Sequence, residues 1–173
     1  MANTYQLIQS TVLGSDQPTV DFSNIPNIYD DLLLYVGLRS TKTVVGTTAF
    51  VRFNNDSGST QYEYKQIYGY SGGAGGYQNA GYSAMFSQCG GASSASNTYN
   101  AGWYYIPQYR GSYYKSMIGN CGYPNQTGND WQNDVWAFTW KSTAVINSLN
   151  FSMDGGNMAS GSVLSLYGIK YTA

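Results

Sequence analysis

Apolar side chains recur along this chain with a period of two rather than 3.6. In 135–141 (VWAFTWK), Trp136, Phe138 and Trp140 share one face, the pattern of a strand with one side in a core. In 144–153 (AVINSLNFSM), Val145, Leu149, Phe151 and Met153 fall on one face and Ser148, Asn150 and Ser152 on the other. In 62–70 (YEYKQIYGY), Tyr62, Tyr64, Tyr68 and Tyr70 align, with Gln66 among them. In 31–40 (DLLLYVGLRS), Leu32, Leu34, Val36 and Leu38 are matched by Leu33 and Tyr35 on the opposite face, so both faces of that strand are expected to be covered. Shorter strand-like runs occupy 4–13, 19–22, 49–53, 82–89, 112–121 and 162–170. No long stretch carries helical spacing with a cap and a stop.

Turn chemistry separates these runs. Gly14 to Pro18, Asn54 to Gly58 and Gly155 to Asn157 are strong turn clusters. The segment from Phe53 through Asn54–Gly58 to Tyr62 reads as a β-hairpin with a slightly long loop. Residues 71–134 read as an irregular middle rich in Gly, Ser and Tyr, with a glycine cluster at 71–76, a small-residue stretch at 90–97 and a polar loop at 123–134. A strand-like run between the first two argues against a linker between domains. The pattern predicts a single all-β domain over 1–173, a jelly-roll-like β-sandwich of about 8–10 antiparallel strands.

Composition narrows the partners. Charged residues make up 10% of the chain, against roughly 25% in an average soluble domain. Tyr occurs 18 times, Gly 21 times, and the net charge is -1. Without clustered cations, neither nucleic-acid binding nor a polybasic membrane patch is expected. A neutral, Tyr-rich surface suits contact with protein or glycan, since Tyr joins a rigid ring to a polar tip. No apolar run approaches the roughly 20 residues that span a bilayer, so membrane insertion is not expected. The start, Met1 to Tyr5, lacks the basic and apolar regions of a signal peptide, which points to synthesis in a cytoplasm.

Catalytic chemistry is sparse. The chain has no His, which removes the usual general base and most triads. Most of its nine acids sit in turn-like contexts. Asp130 and Asp134 are the one pair flanked by tryptophans, Trp131 and Trp136, and a polar loop is the expected role for them. No enzyme activity, cofactor or metal is expected. Asp154 to Asn157 lacks the spaced acids of a calcium loop, and Cys89 and Cys121 make an incomplete zinc set. Both cysteines read as buried thiols, with a disulfide open as the second option. The binding or interface candidates are Trp103, Tyr104, Tyr105, Tyr109, Tyr113 and Tyr114, whose rings can pack in a two-faced sheet, anchor a subunit interface or stack on sugar.

The segment from Val20 to Leu34 contains F-S-x-I-P-x-x-Y-D-D-L-L-L, and Gly161 to Lys170 contains G-S-x-x-x-L-Y-G-I, preceded by Ile146-Asn147-Ser148-Leu149. Together these resemble small structural proteins of tailed bacteriophages, found in tail-fibre tips and virion decoration proteins. The resemblance covers both ends of the chain and not residues 71–134. It implies a virion structural protein, made in the host cytoplasm, with other capsid or tail proteins as partners and no catalytic residues to transfer. It also implies a homotrimer, a number that no residue pattern supplies. Strand-like sequence from residue 4, with no coiled-coil segment ahead of it, favours a decoration or fibre component. A receptor-binding module for host-surface glycan is the alternative. Within the motifs, Pro26 directs the chain into an extended turn, and Tyr167-Gly168 marks a place where backbone or a neighbouring ring approaches closely.

Overall fold

The computed structural model describes residues 4–58, 60–81, 84–124 and 131–171. Among these residues there is no helix, and the strands in chain order are β1 (Tyr5–Val12), β2 (Thr19–Phe22), β3 (Asp31–Gly37), β4 (Gly46–Phe53), β5 (Tyr62–Tyr70), β6 (Gly73–Gly81), β7 (Ala84–Gly90), β8 (Ala101–Ile106), β9 (Lys115–Pro124), β10 (Trp131–Trp140), β11 (Leu149–Met153) and β12 (Val163–Ile169). They build two antiparallel sheets. The larger has the order β1-β12-β3-β8-β9-β10-β5-β6 and the smaller β2-β11-β4-β7. The fold is therefore the expected β-sandwich of jelly-roll type, with twelve described strands rather than 8–10.

The period-two pattern sets the core. In β10, Gln132, Asp134, Trp136, Phe138 and Trp140 point inward and are buried. Phe22, Phe53, Phe86 and Phe151 of the smaller sheet meet Tyr62, Tyr104, Phe138 and Trp140 of the larger one. Their rings contact edge-on or tilted, as in Phe53–Trp140 at 5.6 Å and Phe86–Tyr104 at 5.0 Å between centroids, the arrangement that aromatic quadrupoles favour.

Several boundaries differ from the sequence pattern. Phe53 and Tyr62 do not flank a hairpin. β4 lies in the smaller sheet and β5 in the larger, so residues 54–61 carry the chain across the sandwich. That crossing is fastened by Trp140 Nε1 donating to Asp56 Oδ2 at 2.8 Å and Phe53 N donating to the Tyr62 hydroxyl at 2.8 Å. Two inward-facing aromatic runs give no indication of which sheet each joins. The supposed irregular middle, 71–134, holds β6, β7, β8, β9 and the start of β10. Residues 144–148 are not strand, and Asn54 holds that segment from the side. Leu33 is buried but Tyr35 is 49% exposed, so the second face of β3 is only partly covered.

The two motif-bearing ends pack on each other. β12 pairs with β3 in the register Ile169↔Asp31 and Gly168↔Leu32, and Asp30 N donates to Ile169 O at 2.8 Å. The Tyr29 ring lies flat on Gly168, where a Cβ would overlap the ring atoms. This is the close approach expected at Tyr167-Gly168.

Candidate functional site

The aromatic string does not converge. Tyr104 and Tyr109 are fully buried core residues, and the Tyr109 hydroxyl donates to Pro26 O. Trp103 and Tyr105 point to the opposite, outer face of the larger sheet, where Trp103 is 45% exposed. The Tyr105 hydroxyl is committed to the fully buried Asp31, donating to its Oδ2 at 2.5 Å. Tyr113 and Tyr114 precede β9 in a loop, and both are exposed. Buried Lys115 anchors that loop by donating from Nζ to the carbonyls of Gly111 and Tyr113, and burial lowers its pKa. Cys89 and Cys121 are free, buried thiols. Burial pushes the Cys89 thiol up to about 12 and raises that of Cys121, so neither is a ready nucleophile. Asp130 lies outside the described residues. No group of three or more His, Cys, Asp or Glu among the described residues is placed to hold a metal.

Polar chemistry gathers elsewhere, on the inner face of the larger sheet where the smaller sheet stops short. β7 is the last strand of the smaller sheet, and beyond it the inward side chains of β5 and β6 line a cleft of about 500 Å³ with Gln88 of β7 and Gln132 of β10. The lining is Gln66, Tyr68, Tyr70, Gly76, Tyr77, Gln88 and Gln132. A larger recess of about 700 Å³ lies on the outer side, lined among others by Glu63, Lys65, Gln78, Asn79, Ile118 and Ala137.

Behind the cleft wall sits Asp134, with no solvent exposure. Its Oδ1 accepts from Gln66 Nε2 at 2.5 Å and Gln132 Nε2 at 2.8 Å, while Cys121 Sγ faces Oδ2 at 3.7 Å. Burial raises the Asp134 pKa above the ordinary carboxylate value, and the two amides and the thiol pull it back down. The Tyr123 hydroxyl donates to Gln88 Oε1 at 2.5 Å and lies 3.1 Å from Gln132 Oε1. The carboxylate thus fixes which way the amides point. Gln66 turns its NH₂ inward to Asp134, which leaves its Oε1 without a partner among the described residues. Gln88 accepts through its oxygen, which leaves its Nε2 likewise free.

The rings of the cleft lie down because β6 is rich in glycine. A Cβ at Gly75 would sit 2.6 Å from the Tyr68 hydroxyl, and one at Gly72 would overlap the Tyr70 ring. Tyr68 and Tyr70 are stacked, 6.3 Å between centroids and 28° between planes. The glycine cluster of 71–76 is therefore a flat bed for two rings. Gln88, Gln132 and Tyr123 were not singled out by sequence. Their signal was a polar residue at an inward position of an alternating strand, visible at Gln66 between Tyr64 and Tyr68 and at Gln132 and Asp134 before Trp136.

No family model matches the sequence, and no curated protein matches it. Among solved structures, an exo-inulinase from Aspergillus awamori aligns with a TM-score of 0.47 at 10% identity, over 97% of this chain and 30% of that one. The chain thus spans under a third of that enzyme's length. A galectin from Caenorhabditis elegans aligns with a TM-score of 0.32 at 8% identity, over 94% of this chain and 96% of that one. A toad ovary galectin, in complex with thio-digalactose, gives 0.27 at 10%, over 91% and 96%.

Proposed function

We propose that this chain is a non-enzymatic component of a tailed-phage virion surface, a capsid decoration or a fibre or spike element, which works by contact. The observation that carries the reading is the junction of the two motif-bearing ends. Tyr29 on Gly168, Asp30 N on Ile169 O, and Asp31 accepting from Tyr105, Tyr171 and the Gln108 amide form one lock between β3 and β12. The residues that carry the phage resemblance thus depend on one another, as a scaffold motif requires. The carboxylates support the same reading. Each of the eight described acids holds a structural partner, including Asp16 on Ser160 N, Asp21 on Asn150 and Asp154 on Lys42.

Particles purified on a density gradient from cultures producing the chain, then analysed by mass spectrometry, test this. The expected result is the chain banding with the particles in near-stoichiometric amount. Recovery only in the soluble lysate would overturn it. Purified protein is also expected to leave polysaccharide, peptide and nucleic acid uncut. Host-surface glycan recognition is the second reading, and the amide and tyrosine cleft favours it.

A further inference from the structure

We propose that the cleft between β5, β6, β7 and β10 binds a neutral, hydroxyl-rich saccharide, held by Gln66 Oε1, the Gln88 amide nitrogen and the ring faces of Tyr68 and Tyr70. The site is distinct from the aromatic string of Trp103 to Tyr114, and it rests on the reading of the chain as a contact protein rather than an enzyme.

Three features select this ligand class. The first is mixed polarity. Gln66 offers a lone acceptor and Gln88 a lone pair of donors, and the hydroxyls of Tyr68 and Tyr70 do either. A sugar hydroxyl is both donor and acceptor, so it fits such a wall, whereas an apolar ligand would leave these groups unpaired. Gln66 is only 5% exposed as a residue and lines the cleft, and its Nε2 is taken by Asp134, so the oxygen is the group it has left to offer a ligand. The second is the absence of a cation. No Lys or Arg is among the described residues that line the cleft, and the buried Asp134 stands directly behind its amides. An acidic sugar would meet a carboxylate with nothing to neutralise it. The third is shape. The two stacked tyrosines on their glycine bed give an apolar surface beside the polar wall, matching a pyranose with C–H groups on its faces and hydroxyls on its edge. Preorganisation comes from within. Asp134 and Tyr123 hold Gln66, Gln88 and Gln132 in place before any ligand arrives, which reduces the ordering cost of binding.

Titration calorimetry with the full chain tests the site, using oligomers of glucose, galactose and N-acetylglucosamine as neutral probes. Oligogalacturonate and oligosialic acid serve as acidic ones. At least one neutral probe should bind with a Kd of about 1 mM or tighter, and the acidic probes should bind at least about tenfold more weakly. Tyr70→Ala and Gln88→Ala, both at the cleft rim, should each weaken binding by about tenfold, Tyr70→Ala with an unchanged thermal midpoint. Trp103→Ala, on the opposite face, should leave it unchanged. No neutral probe binding, a preference for acidic probes, or binding lost in Trp103→Ala but kept in the two rim variants would each overturn the assignment. Release of shortened sugar would overturn the non-enzymatic reading and leave the site assigned. Absence of the chain from virions would overturn the virion reading alone.

Discussion

Asn54 shows how much one side chain does in this fold. Its φ of 53° lies in the left-handed region, which Asn tolerates and most residues resist. From there Nδ2 donates to Val145 O at 2.8 Å, and Oδ1 accepts from Asn147 N at 2.8 Å and Ser148 N at 3.2 Å. One residue thus holds the non-strand segment that leads into β11. Asn54→Ala loses those bonds and keeps the strained backbone, so it is expected to destabilise by about 2–4 kcal/mol, read as a lowered urea midpoint. A loss below about half a kcal/mol would mean the segment holds itself. Asp134 gives a prediction of opposite sign. Its folded pKa is raised by burial above an unfolded value of about 3.9, so the native state binds this proton more tightly than the unfolded state does. Stability from this group is therefore greatest at acid pH and falls as pH rises through the folded pKa. Asp134→Asn keeps an acceptor for Gln66 and Gln132 and removes the buried charge. The variant should be more stable than the parent at pH 7 and lose that advantage as pH approaches the unfolded value. Urea midpoints across that range decide it, and parallel curves would sink the argument.

At the level of elements, legibility followed contrast. In β5, β10 and β11 large residues recur at every second position, and their core faces were readable from the period alone. β6 has no such contrast. Its residues are mostly Gly, Ala, Gln and Asn, and its place is set by its ladder with β5, Gln66↔Tyr77 and Tyr68↔Gly75, which no local pattern encodes. β8 failed for the opposite reason. Gly102, Tyr104 and Ile106 face in while Trp103 and Tyr105 face out, so aromatics on both faces hid the strand. The cleft was legible only in part. Polar residues at inward positions were visible, but their meeting required knowing that β7 faces β10 across the sandwich. The best-read element contact was Gly168, flagged from sequence as a close approach. Gly168→Ala should cost about 1–3 kcal/mol through overpacking against Tyr29. Tyr29→Ala leaves a void of its own, yet Gly168→Ala should cost little in that background, a coupling of at least about 1 kcal/mol. Additive effects in the four-member thermal unfolding cycle would show that the ring does not rest on the glycine.

For the whole molecule, the open question is what covers the outer face of the larger sheet. Register aligns a single row across five strands: Tyr35 beside Trp103, Trp103 beside Asn120, Asn120 beside Val135, and Val135 beside Ile67. Tyr35, Trp103, Val135 and Ile67 are 49%, 45%, 42% and 69% exposed. An exposed row of this kind, apolar on both sides of a central Asn120, marks an interaction surface more often than a scatter of single exposed residues does. The net charge of -1 leaves little repulsion between copies, and homo-oligomers reuse one patch on each copy. The expected outcome is self-association through this row. Of the residues named from sequence for that role, Trp103 lies in the row, whereas Tyr104 is in the core and Tyr105 is tied to Asp31. Light scattering at micromolar concentration should give a mass above one chain. Ile67→Lys and Val135→Lys, which put like charges on facing copies, should shift it to monomer without lowering the thermal midpoint of the fold. The trimer number comes from the phage resemblance alone, so a dimer would correct the number and leave the surface standing. A parent protein that stays monomeric in solution and on assembled particles would rule the surface out.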